Sequence, residues 1–300
     1  MASACGIRKT AIKRPSARAA PTCGAISATR ACLSKSLAIA PYGNVITANG
    51  KEAPKMLSEQ AIQILKDRGL DEELLARFGV SSFKKNGFEW VKIPYVLDGK
   101  AVNHKYRTIE GEKQMYQDSE GAKIFWNFDI LHDGSLSGQP LVITEGEFDG
   151  IAAIQCGFTR TVSVPDGAPA KPLDDADTEK YSYLDSALPI LRDCTEIIIA
   201  ADGDAQGRNL LHDLSLRLGR QRCKWLKYPE GCKDLNDVLQ KHGAASVKET
   251  LDKAHWCKVN GVYRMDSLPP APESHAFSTG FPVMDDHYKV RLGDFVVVTG

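Results

Sequence analysis

The stretch Ile-Ile-Ile-Ala-Ala-Asp-Gly-Asp-Ala-Gln-Gly-Arg, residues 197–208, decides the fold. An uninterrupted apolar run of this length suits a strand buried on both faces, and the switch to Asp-Gly-Asp ends it sharply. A helix is expected over 207–218, so a strand feeds a helix through an acidic turn. The same order appears upstream: Leu-Val-Ile-Thr at 141–144 reads as a short buried strand, followed by a helix over 148–156. Residues 161–164 form a further strand, broken by Pro165 and Gly167, and 169–180 read as a surface loop. A helix over 181–191, a strand near 223–226, and helices over 235–242 and 245–254 complete the series. Strands alternating with helices of this length imply an α/β unit, with a mainly parallel sheet covered on both faces.

Working outward, residues 51–137 read differently. A short amphipathic helix over 56–66 ends at Gly69, and a second over 71–78 starts at an acidic cap and stops at Gly79. A strand over 88–96 meets Asp98-Gly99, a strong hairpin signal, and returns over 101–106. This is a small α+β unit placed before the α/β domain of residues 138–256. Residues 257–280, with Pro269, Pro270 and Pro272, read as a linker; 281–300 begin something new and close on an apolar strand, 295–298.

Composition narrows the classes further. With 43% hydrophobic and 25% charged residues, the 300-residue chain can bury a real core. No run approaches the ~18 apolar residues of a membrane span. The zero formal net charge hides an asymmetry: residues 1–50 carry seven Lys/Arg and no Asp or Glu, leaving 31 basic and 38 acidic residues in the remainder. That basic, Ala- and Ser-rich, acid-free start has the composition of a mitochondrial or plastid transit peptide. The mildly acidic remainder excludes a histone-like coat, so any nucleic acid must be held in a local basic groove. None of the eight cysteines forms a C-x-x-C pair, which argues against a zinc ribbon or a disulfide framework.

The chemistry is expected at strand ends, where ligands of open α/β sheets gather. Glu145, followed by Gly146, stands directly after strand 141–144. Alone it reads equally as an acid favoured by the positive end of the next helix. Asp202 and Asp204 flank one glycine after strand 196–201, a spacing that can aim two carboxylates at one hard cation, although Asp-Gly is also ordinary turn chemistry. Parallel strands would bring Glu145, Asp202 and Asp204 to one edge, where three carboxylates repel unless a divalent cation neutralises them. Asp234, in Lys-Asp-Leu-Asn-Asp at 233–237, is placed to join that edge, and Arg208 to face a phosphate.

Together, strand–ITEGE–helix, IIIAADGDAQGR, KDLNDVL and VSVPDGAP (162–169), in this order, resemble the TOPRIM domain shared by DnaG-type primases, topoisomerases and related nucleases. The likeness is nearest to the phage T-seven-type primase–helicase and organellar Twinkle family and runs over roughly residues 55–300. It implies a Rossmann-like TOPRIM fold preceded by a primase subdomain. It also implies catalytic acids at Glu145, Asp202 and Asp204, and Mg²⁺ or Mn²⁺ held by these and Asp234. Lys105, Arg107 and Lys113 match the segment that contacts nucleotides and template; read simply as hairpin charges, they would be solvated.

The activity implied is synthesis of RNA primers from ribonucleoside triphosphates on single-stranded DNA during organellar replication, alongside a replicative helicase or polymerase and away from membranes. Residues 278–300 resemble the opening of the family's RecA-like helicase domain. The Lys and Ser/Thr that complete a phosphate-binding loop are absent, so these 300 residues are expected to be a truncated form without helicase activity. The missing zinc ribbon leaves a rival reading, a catalytically silent module that binds single-stranded DNA. Other TOPRIM chemistries fit less well: a type IA topoisomerase needs a larger body, a RecR-type protein a four-cysteine site, and a small RNA-maturation nuclease leaves 281–300 unexplained.

Overall fold

The computed structural model describes residues 56–173, 179–259, 261, 275–291, 293, 295 and 297. The basic segment 1–50, most of the proline-rich 257–280 stretch and half of the 295–298 run lie outside the described residues.

Two large sheets organise the described residues, and a third, two-stranded one pairs Ala276–Phe277 with Val290–Arg291. In the first, order β1-β2-β3-β4, all pairs are antiparallel: β1 Ser81–Lys85, β2 Phe88–Leu97, β3 Lys100–Thr108 and β4 Met115–Gln117. Two hairpin turns fix its register. Asp98 and Gly99 have φ of 51° and 74°, and Asn86 and Gly87 have 54° and 79°. Positive φ at both central residues is the turn that matches strand twist. The second turn makes β1 a strand that the sequence reading left out, although Asn-Gly signals a hairpin as strongly as Asp-Gly does. Helices α1 (Glu59–Asp67) and α2 (Glu72–Arg77) precede this sheet, with Ser58 and Asp71 accepting from Ala61 N and Leu74 N as N-caps.

The second sheet has the order β6-β5-β7-β8-β9. Strands β5 (Leu141–Thr144), β6 (Thr161–Ser163), β7 (Ile197–Ala200) and β8 (Cys223–Trp225) run parallel, and β9 (His255–Trp256) closes the edge antiparallel to β8. Every residue of β5, β6 and β7 is buried, as the apolar runs require. Around it lie α3 (Glu147–Gln155), α4 (Leu188–Leu191), α5 (Ala205–Leu218) and α6 (Leu235–Asp252). Within α6 the backbone leaves helical geometry at Gly243, φ 78°, so it consists of two helices joined at a kink, as expected over 235–242 and 245–254.

One expectation fails. The helix over 181–191 is instead a 3-10 turn, Glu179–Leu184, followed by the four-residue α4. Tyr181, Tyr183 and Leu184 are buried there, so tertiary packing rather than helical periodicity places these rings. The five described cysteines are free thiols, and no described helix is long and apolar enough to cross a membrane.

Candidate metal centre and nucleotide cleft

The parallel register of β5 and β7 pairs Thr144 with Ala200, so the residues that follow each strand emerge side by side. Glu145 N donates to Ala200 O at 3.3 Å, and Glu145 Oε2 accepts from Asp202 N at 3.1 Å. A second tie joins the Asp-Gly-Asp turn to the start of α6: Gly203 N donates to Lys233 O at 2.7 Å. Tyr228 Oη donates to Ala201 O at 3.0 Å from beneath. Glycine permits close approach at two places, against backbone in the first and against a side-chain carboxylate in the second. A Cβ on Gly207 would lie 2.0 Å from the Asp202 carbonyl oxygen, and one on Gly146 would lie 2.7 Å from Asp149 Oδ2. Both keep backbone tight around the carboxylates.

Asp149, Asp202 and Asp234 converge, each offering an oxygen within 4.8 Å of the others. Asp149, in the first turn of α3, is the member that the sequence reading missed. It is buried, and its Oδ1 accepts from Asn236 N at 2.9 Å. An acid there has an ordinary explanation in the helix dipole, and the backbone it meets is 87 residues away, so its only signal was the one-turn spacing from Glu145.

Electrostatics mark the cluster as under stress. Burial raises Asp149 well above the usual carboxylate range, and the charges of Asp234 and Asp202 add to it. Asp202 is pushed from 3.8 up to about 7, first by burial and then by Glu145 and Asp234. Burial also raises Glu145 and Asp234. Crowded, half-desolvated acids of this kind are relieved by a shared divalent cation. An all-oxygen donor set suits a hard ion such as Mg²⁺, so the residues present fit one.

Asp204 behaves differently from its partner. It is exposed, and its Oδ1 caps α5 by accepting from Gly207 N at 2.8 Å, yet it stands near enough for its charge to raise Glu145 and Asp202. Asp234 serves both purposes, capping α6 through Asp237 N at 2.7 Å while joining the cluster.

A cleft of about 440 Å³ opens over the acids, and cations share its wall: Arg68, Arg107 and Lys113 line it with Glu145, Asp149, Asp202 and Asp234. Arg68 and Arg107 lie against the Phe148 ring at 5.7 and 4.6 Å. Arg68 is a second residue that the sequence did not flag. Lys105 also reaches this wall, but it is buried and committed: its Nζ donates to Glu147 Oε1 at 2.7 Å and to Pro165 O at 3.0 Å. Arg208 turns away into a different cavity behind the Asp202–Gly203 turn, and its guanidinium donates to Gly203 O at 3.3 Å.

The Toprim domain family matches residues 139–224. The chain is 32% identical over 276 residues to the Twinkle homolog protein, chloroplastic/mitochondrial, of Arabidopsis thaliana, covering 85% of this chain and 38% of that protein. It is 34% identical over 172 residues to the Primase homolog protein of the same plant, covering 54% and 49%. The chain thus spans less than half the length of either relative. Among solved structures, the RNA polymerase domain of Mycobacterium tuberculosis primase DnaG aligns at a TM-score of 0.50 and 17% identity, covering 66% of this chain and 78% of that one. At that identity the likeness concerns the fold alone. Motif order, sheet topology and relatives converge: this is a Toprim-domain protein with a primase fold, related in sequence to Twinkle-type proteins.

Proposed function

We propose that this chain carries out primase-type nucleotidyl transfer, joining ribonucleotides into short primers on single-stranded DNA in organellar DNA replication. The observation that carries the reading is the cleft itself. Its lining gathers Glu145, Asp149, Asp202 and Asp234 together with Arg68, Arg107 and Lys113.

In this reading Asp149, Asp202 and Asp234, with Glu145 beside them, hold Mg²⁺ or Mn²⁺. The bound ion supplies neutralisation of the carboxylates and of the triphosphate that a 3′-hydroxyl must approach. Arg68, Arg107 and Lys113 take phosphates as charge-assisted donors, which positions a strand and a nucleotide without reading sequence. The Lys105–Glu147 pair ties β3 to α3 beneath the cleft and makes no substrate contact of its own. Asp204 shapes the field and anchors α5. An organellar setting is supported by the composition of residues 1–50 and by the relative named chloroplastic/mitochondrial.

The test is primer synthesis on a single-stranded template with ribonucleotides and Mg²⁺, comparing the chain with Asp149→Asn plus Asp202→Asn. Labelled RNA from the unaltered chain, reduced by at least about 100-fold in the double variant, is expected; removing groups that act only on the reacting centre costs this much. Strand binding by both without synthesis by either would replace the enzyme by a binding module.

A further inference from the structure

The two faces of the antiparallel sheet have different chemistry. Along β2, the inward residues Val91, Ile93 and Tyr95 are fully buried, and on the neighbouring β3 Lys105 and Arg107 look toward the acidic cleft. The alternate residues form the outer face. The register places Phe83 beside Trp90, Lys92 beside Tyr106, and Tyr106 beside Tyr116 across four strands. Their rings form a continuous ladder. Tyr106 and Tyr116 stack at 4.5 Å and 12°, Trp90 lies 5.6 Å from Tyr116, and Phe83 lies 6.2 Å from Trp90. Lysines stand over the rings: Lys85 Nζ is 4.5 Å from the Tyr116 centroid and 5.6 Å from that of Trp90, and Lys92 Nζ is 6.0 Å from that of Tyr106.

Tyr116 is 40% exposed at one edge of the ladder, while Trp90 beside it is buried and serves as its support. Asp118, at its margin, is already engaged by His104 at 2.8 Å and by the Tyr106 hydroxyl. The ladder therefore presents aromatic surface and positive charge with its neighbouring acid occupied. A protein core would supply more apolar area, and a membrane surface would call for apolar tips; rings interleaved with ammonium groups on an open sheet fit stacked bases joined by phosphates.

We infer that the outer face of the four-stranded sheet is a sequence-tolerant binding surface for single-stranded nucleic acid, distinct from the cleft, with Tyr116 as its stacking platform and Lys85 and Lys92 as phosphate contacts. A base stacks where the Lys85 ammonium stands over Tyr116. Displacing that ammonium costs only the ~0.5–1 kcal/mol of an exposed cation–π contact, and its charge remains beside the strand for a phosphate. Such a surface would keep a template close while the cleft on the other side of the same sheet acts on it. The inference extends the proposed handling of single strands to a second site.

The experiment is fluorescence anisotropy of a labelled oligodeoxythymidylate of about 12 nucleotides, a length within the usual span of such surfaces, with the full chain. Tyr116→Ala is expected to weaken binding by about tenfold or more, and Tyr116→Phe to restore it. Lys85→Gln plus Lys92→Gln should lower the salt slope of log K by about 1.4. The Tyr116→Ala chain should keep the thermal shift that magnesium induces at the acidic cluster, so failure of the metal centre and failure of this surface are read separately. Affinity within twofold of the unaltered chain for Tyr116→Ala, with the thermal midpoint unchanged, overturns the inference and leaves the face to another partner.

Discussion

Glu147 and Asp149 sit two residues apart in the first turn of one helix, both buried, and their environments drive them in opposite directions. For Glu147, burial acts to raise the pKa, but the Lys105 charge, hydrogen bonds from Lys105 and Tyr95, and the Arg107 charge outweigh it, so the carboxyl ends below its usual value. Tyr95 Oη donates to the same Oε1 at 2.5 Å. For Asp149, burial is reinforced by two neighbouring aspartates, and the carboxyl is held well above the usual range. The lesson is that buried charge has two uses here. Where the fold supplies its own counter-ion, the acid is a fastener between the two sheets. Where it does not, the acid is a vacancy in the charge balance that a ligand can fill.

The fastener side is broken most severely by Lys105→Met. It leaves Glu147 buried and uncompensated and should cost about 3–5 kcal/mol of unfolding free energy. Urea titration checks this, and the double variant with Glu147→Leu should recover part of the loss. An equal or larger cost in the double variant would mean that the pair is not coupled.

On the cluster side, Gly207→Ala forces a methyl against the Asp202 carbonyl and should cost about 1–3 kcal/mol. Because the backbone that presents Asp202 must move, the thermal shift induced by magnesium should shrink with it. A full magnesium response in that variant would show that the cluster does not depend on this close approach.

The smallest effect has the opposite sign and sharpens the contrast. Asp202 rises from 3.8 to about 7 on folding, so without metal the fold gains a proton that the unfolded chain has lost between those values. Stability from this group is full below about pH 4 and is lost as pH rises through 7. Asp202→Asn should therefore stabilise the metal-free chain at pH 8 by on the order of 1–2 kcal/mol, discounted for partial solvent access. It should also flatten the pH dependence between 4 and 7. Thermal melts across that range are the measurement; a steeper fall in the variant would reverse the electrostatic argument.

The acids that were legible in the sequence share one property. Glu145 and Asp202 follow short apolar runs directly, and a buried strand leaves little doubt where its next residue emerges. Asp234 was legible because Lys-Asp-Leu-Asn-Asp opens a helix. Asp149, Arg68 and the commitment of Lys105 were not legible, because each depends on which face of one element meets another. Period-two alternation puts Lys105 and Tyr106 on opposite faces of β3, but it does not say which face meets the parallel sheet. The same silence hid the aromatic ladder, whose rings come from four strands spread over residues 83–116.

By itself the sequence determined the alternation of strands and helices, the parallel sheet and the strand-end positions of Glu145 and Asp202, since local apolar runs and turn residues act over a few residues. Only the tertiary structure decided which carboxylates share a centre, which lysine is spent as a fastener and which faces solvent. Those outcomes turn on charges meeting across about 30 or more residues, where desolvation and Coulomb energy compete at a few ångströms and no local pattern records the winner.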